Sequence, residues 1–369
     1  MLGKIKKNFG FGCMRLPMAA EEVDLAEFSK MIDAFMEAGF NYFDTATVYL
    51  DGKSETAIRE CLVKRYPRED FIIVDKLSPG LVKETADVRK LFESQLQSLG
   101  VDYIDIYLMH SQNRVNYERY KSIGAYEEAF KLKEEGKVGC VGFSFHDTAD
   151  ILDKILTEYP QIEVVQLQVN YYDFEDRIVQ SRLCLEVCKK HGKPVIVMEP
   201  VRGGMLAAPP AEAGEIVKSL KGGSPASYAI RFAAGCEGVI MVLSGMGNME
   251  MMEDNISAMK EYKPLTDAER ETLFSAAEAI RSKNIIACTC CRYCVPGCPM
   301  GIEIPTLFDC LNSKRTTGGW QGAFFYEIKT KESAPASACI ECGACEDICP
   351  QKLNIRELLK EVSAEFDKK

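Results

Sequence analysis

From Phe9 to about residue 282 the chain alternates short β-branched runs with amphipathic helical stretches, eight of each, and no other feature limits the fold as tightly. The extended runs fall at residues 10–15, 42–46, 71–76, 104–110, 138–145, 164–170, 194–200 and 239–245. Helical stretches lie between them: residues 24–38 put Leu25, Phe28, Ile32 and Phe35 on one face, and residues 88–99 stop at Gly100. Strand and helix in strict succession over about 250 residues predict an α/β chain closed into an eight-stranded (β/α)8 TIM barrel. A doubly wound sheet is the rival, but no strand opens a G-x-G-x-x-G turn; Gly10-Phe11-Gly12 lacks the third glycine and no helix follows directly. After the eighth unit Thr266 caps an expected helix through residue 282, with Asp267 and Glu269 in its first turn complementing the helix dipole. The barrel is therefore assigned to residues 1–282.

Residues 283–369 carry a different signal. One cysteine run is spelled twice, Cys288-x2-Cys291-x2-Cys294-x3-Cys298-Pro299 and Cys339-x2-Cys342-x2-Cys345-x3-Cys349-Pro350. Loops this short let three thiolates close on one cubane, while the fourth, beside a proline, points elsewhere. Zinc ligands come as separate pairs rather than four within eleven residues. Disulfides need an oxidising compartment, whereas residues 1–12 hold Lys4, Lys6 and Lys7 but no apolar signal segment. The doubled spacing resembles that of two-cluster ferredoxins. That resemblance implies two [4Fe-4S] clusters with crossed ligation, one on Cys288, Cys291, Cys294 and Cys349 and one on Cys339, Cys342, Cys345 and Cys298. Between the runs lie a helical segment at 304–312, a polar turn at 316–319 and Trp320, which point to an α-helical ferredoxin-like domain larger than a minimal one. Of the eight other cysteines (Cys13, Cys61, Cys140, Cys184, Cys188, Cys236, Cys290 and Cys310) most are expected in the core, and Cys290, next to Cys291, is a competing ligand.

Composition removes several function classes. Net charge is −10, and neither the tail (ten basic, eleven acidic residues from 284 to 369) nor the rest has the basic excess that nucleic-acid binding requires. No stretch is apolar for the eighteen or so residues of a membrane span. Many cysteines without a signal segment suit a reducing, cytoplasmic setting.

Chemistry in an eight-stranded parallel barrel sits at the C-terminal ends of the strands. The second run ends in Phe43-Asp44-Thr45-Ala46 with Tyr49 three residues on, the third in Val74-Asp75-Lys76 and the fourth in Leu108-Met109-His110. Carbonyl reduction by hydride needs an acid for the forming alkoxide. A tyrosine, with a free pKa of about 10, becomes a better one beside a lysine ammonium that stabilises its phenolate. Asp44 would fix the Lys76 ammonium, and His110 would polarise or orient the carbonyl. Asp75 should face away from the pocket, because neighbours on a strand alternate. His191 reads as a helix C-terminus. Asp44, Tyr49, Lys76 and His110 are similar, one by one, to the catalytic tetrad of the aldo-keto reductase superfamily, and the likeness runs from about residue 9 to 260.

That resemblance implies a nicotinamide dinucleotide, NADH or NADPH, laid across the barrel mouth. Ser144 corresponds to the serine that holds the carboxamide, Gln166 to the glutamine beneath the ring, and Met198 stands where many members stack a tyrosine. Residues 199–205, with Gly203 and Gly204, resemble the loop that straddles the pyrophosphate. Ser244 and Gly245, through Asn255, resemble the adenosine loop. Where many members place Lys and Arg for a 2′-phosphate, this chain has Met249, Met251, Met252, Glu250, Glu253 and Asp254, which argues against strong NADPH preference.

The expected function is an oxidoreductase that reduces an aldehyde or ketone, or oxidises an alcohol, as in an iron-sulfur branch of that superfamily. Nicotinamide passes two electrons as hydride while each cluster passes one, so a handoff between them calls for an intermediary. A flavin is the obvious type, and no sequence element indicates one. The clusters then serve either a redox partner protein or the structure. The alternative is an electron-transfer or redox-sensing protein whose barrel is a docking scaffold. Arg114, Tyr117, Arg119 and Tyr120 in residues 111–123 hint at an anionic or sugar-like substrate.

Overall fold

A computed structural model describes residues 2–282, 285–288, 290–349 and 351–367. Lys283, the expected start of the second domain, and Pro350, beside Cys349, lie outside the described residues. The chain divides into two compact units: Met1–Glu175, Val179–Pro209 and Gly214–Phe274 make the first, and Asp176–Ile178, Pro210–Ala213 and Ser275–Lys369 the second.

The first unit is built on ten strands: β1 (Phe9–Gly12), β2 (Met18–Ala19), β3 (Glu22–Val23), β4 (Tyr42–Asp44), β5 (Ile72–Leu77), β6 (Ile104–Gln112), β7 (Val138–Phe145), β8 (Val164–Gln168), β9 (Val195–Met198) and β10 (Val239–Ser244). Eight of them close a parallel barrel in the order β1-β10-β9-β8-β7-β6-β5-β4, and β2 pairs only with β3, an antiparallel hairpin that the sequence reading did not foresee. Inside the barrel, Tyr42, Ile72, Val74, Ile106, Leu108, Cys140, Val164, Ile196, Met241 and Leu243 form a dry plug, with Leu2 and Ile5 packed against it. Gly10 belongs to the same layer, since a Cβ there would lie 2.7 Å from Leu243 and 2.8 Å from Tyr42.

This plug sets the site. Side chains alternate along a strand, so the next inward position lies two residues on. From Tyr42, Val74, Leu108, Val164 and Ile196 that step reaches Asp44, Lys76, His110, Gln166 and Met198. On β7 it reaches Gly142, where a Cβ would lie 2.4 Å from the Val164 carbonyl oxygen, and two residues further Ser144.

Several strands end earlier than the sequence reading had them, for local reasons. β8 stops at Gln168 because the Asn170 side chain accepts from the amides of Tyr172 (3.1 Å) and Asp173 (2.8 Å) and turns the chain. β9 stops at Met198 because Glu199 has φ +55°. The helix Leu25–Glu37 starts at Asp24, whose carboxylate caps the amides of Ala26 and Glu27.

The second unit is helical, with helices Ile304–Thr317, Gln321–Lys329, Ala344–Asp347 and Ile355–Phe366. The first runs five residues beyond the sequence expectation of 312, to Gly318 at φ +64°, so the expected polar turn at 316–319 begins inside its last helical turn. Leu307, Phe308, Leu311, Phe325, Leu359 and Val362 are buried, and Tyr326 stacks on Phe366 at 4.7 Å.

Candidate functional site

At the centre of the barrel mouth the Lys76 ammonium, with no exposed surface, donates to Asp44 Oδ1 at 2.5 Å and to the Thr45 carbonyl at 2.6 Å. Asp44 Oδ2 accepts from the Gln166 amide at 3.0 Å. Lys76 Nζ stands 4.7 Å from the centre of the Tyr49 ring, which also meets His110 edge-on with ring centres 6.0 Å apart. His110 Nδ1 and Ser78 Oγ are 2.9 Å apart. The four residues expected to form a tetrad are therefore brought together.

Their ionisation follows from burial and neighbours. Burial by itself would lower Lys76, but Asp44 and Tyr49 raise it, so it stays charged. For Tyr49 burial raises the phenol and outweighs the Lys76 charge, which acts in the lowering direction the sequence suggested; the net shift is upward. The hydroxyl is thus held protonated at neutral pH. His110 is pushed well below the ordinary imidazole range by burial first, then by the Lys76 charge and His146, so it is neutral.

The residues assigned to a dinucleotide occupy the same end of the barrel. Ser144 Oγ accepts the Ser111 amide at 2.8 Å, and Met198 ends β9. Gly203 and Gly204 have φ of +66° and +101°, a loop conformation that favours glycine. Ser244 ends β10, its hydroxyl accepting from the Asn255 amide at 2.9 Å, and a Cβ on Gly245 would lie 3.7 Å from Arg15 Cβ.

In the second unit, one small cavity is lined by Cys288, Cys291, Cys294 and Cys349. Another is lined by Cys298, Cys339, Cys342 and Cys345. Each thus takes three cysteines from one run and the fourth from the other. Cys290 lines neither; its amide donates to Cys288 Sγ at 3.4 Å, as the Glu341 amide does to Cys339 Sγ at 3.4 Å in the second run. Among the described residues no three such side chains converge on a single-ion position.

The family model described as the aldo/keto reductase family matches residues 8–278. The chain belongs to the aldo/keto reductase family. A model described as a 4Fe-4S dicluster domain matches residues 287–353, so this reductase carries a helical iron-sulfur domain in its C-terminal part. Among curated relatives, an Escherichia coli protein named NADH-specific methylglyoxal reductase is 29% identical over 197 residues, 47% of this chain and 57% of that protein. The L-galactose dehydrogenase of Arabidopsis thaliana is 29% identical over 265 residues, 66% of this chain and 80% of that protein. Solved structures share the barrel. The holo form of an aldo-keto reductase from Bacillus halodurans has a TM-score of 0.60 at 23% identity, covering 74% of this chain and 92% of that one. One from Klebsiella pneumoniae in complex with NADPH has a TM-score of 0.58 at 22% identity, covering 72% and 89%.

The hint of an anionic or sugar-like substrate in the reductase's 111–123 segment is overturned. That segment is mostly the helix Arg114–Ser122, and its four notable side chains are committed internally. Arg114 pairs with Asp147 at 2.9 Å, Tyr117 donates to Glu158, Arg119 to the Val82 carbonyl and Tyr120 to the Leu77 carbonyl. Asp75 faces away from the pocket as alternation requires, next to Glu55, and burial raises both carboxyls above their ordinary range. Ser78 was missed, although its place two residues after Lys76, just past the end of β5, was a legible signal.

Proposed function

We propose that this reductase converts an aldehyde or ketone to the alcohol, or the reverse, with Tyr49 as the proton donor. The reading is carried by the Lys76–Asp44 pair packed against the Tyr49 ring, with neutral His110 edge-on to the same ring. Bound NADH or NADPH would supply the hydride, and two [4Fe-4S] clusters would supply single-electron transfer or support the fold.

Tyr49 enters the reaction protonated and gives its proton to the developing alkoxide. The phenolate left behind is favoured by the adjacent Lys76 charge, while Asp44 and the Thr45 carbonyl hold that ammonium in place. With the Ser78 hydroxyl donating to Nδ1, His110 presents an Nε2–H to the carbonyl oxygen. Ser144 and Gln166 supply amide-binding groups beside the tetrad, and Met198 offers a thioether face for a nicotinamide ring. Glu250 in the first turn of helix Met249–Met259, with Glu253 and Asp254 behind it, disfavours a 2′-phosphate, so NADH is the preferred form.

In the tail, Cys288, Cys291, Cys294 and Cys349 would hold one cluster and Cys298, Cys339, Cys342 and Cys345 the other. The two cavities and the amide-to-sulfur bonds at Cys288 and Cys339 support this assignment. The barrel domain then comprises residues 1–282 and the cluster domain 283–369. Sixteen cysteines, none of them in a disulfide, suit a reducing compartment such as the cytoplasm, and no helix among the described residues is long and apolar enough to cross a membrane.

Methylglyoxal and L-galactose, taken from the names of the relatives, are the first substrates to assay. Tyr49→Phe should lower turnover at least about 100-fold without altering the cluster spectrum. Retained turnover would remove Tyr49 as the acid.

A further inference from the structure

One ionisable side chain at the barrel mouth has no place in the chemistry above. Glu199 follows β9 directly, and its φ of +55° turns it out of the strand into the loop that carries Gly203 and Gly204. Its side chain is 13% exposed. Oε1 lies 4.0 Å from Arg15 Nη1, across from the loop after β1. Oε2 is shut off from solvent and makes no hydrogen bond among the described residues. The same oxygen lies 3.8 Å from where a Cβ on Gly203 would stand, and the Gly203 amide faces the carboxylate.

The charges around it are unevenly matched. Burial pushes the Glu199 carboxyl above its ordinary range, Arg15 and the Gly203 amide oppose this, and Asp173 adds to it. Arg202, the nearest other cation, is buried and committed to Asp173, with Nε at 2.9 and 3.1 Å from its two oxygens. Asp173 also takes the amides of Gln168 (2.6 Å) and Asn170 (2.7 Å). The equipment suited to a ligand's anion, a guanidinium and a glycine amide, thus faces a carboxylate of the chain itself. A glutamine or serine would fill the position without setting a net negative charge in a buried place.

We propose that the Glu199 carboxylate is an internal anion that competes with the cofactor's pyrophosphate for Arg15 and the Gly203 amide, a role that rests on the nicotinamide reading above. The chain then binds a dinucleotide against the repulsion of a fixed negative charge, and Glu199 must swing aside or be neutralised as the pyrophosphate settles. Cofactor affinity is set at this one side chain, apart from the tetrad.

The test uses full-length, cluster-loaded protein under anaerobic conditions, titrated with NADH and separately with reduced nicotinamide riboside, which has no phosphate. Nicotinamide fluorescence reports binding. Glu199→Gln keeps the shape and removes the charge, and Glu199→Ser serves as a second neutral variant should the first fold poorly. Both should bind NADH roughly tenfold more tightly than the parent, with riboside affinity unchanged. NADH affinity that is unchanged or weaker in both variants overturns the role of Glu199, as does equal tightening toward the riboside, which would mean a reshaped site. Absence of NADH binding by parent and variants alike is a separate result: it removes the nicotinamide reading itself, and the competition with it.

Discussion

Replacing Lys76 by methionine tests the centre of the barrel mouth. Lys76 has no exposed surface, Asp44 is 3% exposed, and their ion pair is 2.5 Å long. Without the ammonium the Asp44 carboxylate keeps the Gln166 amide as its side-chain partner and has no cation in contact. Breaking a buried pair from one side costs about 3–5 kcal/mol, since the remaining charge stays desolvated and uncompensated. For a unit of this size each kcal/mol moves the melting temperature by about 2–4 °C, so the drop should be roughly 6–20 °C. Asp44→Asn combined with Lys76→Met removes both charges and should regain about 2 kcal/mol of that loss, because contacting residues do not contribute additively. Activity should not return with it, since Tyr49 has then lost the cation that favours its phenolate. Thermal unfolding followed by circular dichroism, with carbonyl reductase rates on the same samples, gives both numbers. A single variant melting within about 3 °C of the parent, or a double variant no more stable than the single, would refute the reasoning.

Two more outcomes follow from the other groups. Cys342→Ala and Cys298→Ala should each bleach the absorbance near 400 nm by roughly half, and in paramagnetic resonance both should lose the same centre; loss of different centres would dismiss the crossed ligand sets. His146 is brought down to about 4 by burial, against about 6.5 in the unfolded chain. The unfolded chain therefore binds this proton more readily, so the stability linked to His146 is complete above pH 6.5 and is lost as the pH falls toward 4, about 3 kcal/mol in all. Chemical denaturation of His146→Gln across that window should show a slope shallower by that amount, and a parallel curve would discount the burial of this imidazole.

Much of the fold was legible because its signals are local. The alternation of eight strands and helices, the apolar face of the helix over 24–38 and the alternation that turns Asp75 away from Lys76 all lie within short stretches of chain. The tetrad candidates were readable for the same reason: Asp44, Lys76 and His110 lie at or within two residues of the ends of successive strands, and barrel closure makes sequence neighbours into spatial ones. The doubled cysteine spacing, too, is contained within two short stretches of chain.

What sequence could not reach depends on distant partners. Nothing within residues 111–123 says that Arg114 is matched to Asp147, or that Tyr117 and Tyr120 spend their hydroxyls on Glu158 and Leu77. The balance at Tyr49 was equally out of reach: the sense of the Lys76 effect follows from charge alone, but its contest with burial depends on how much protein surrounds the hydroxyl. Sequence by itself determined which residues alternate, which strand ends hold titratable candidates and how the thiols are spaced, since these are properties of adjacent residues. Only the tertiary structure decided which charges are paired, which are orphaned and which side chains are already engaged, because those depend on what the closed barrel and the packed tail bring from elsewhere in the chain.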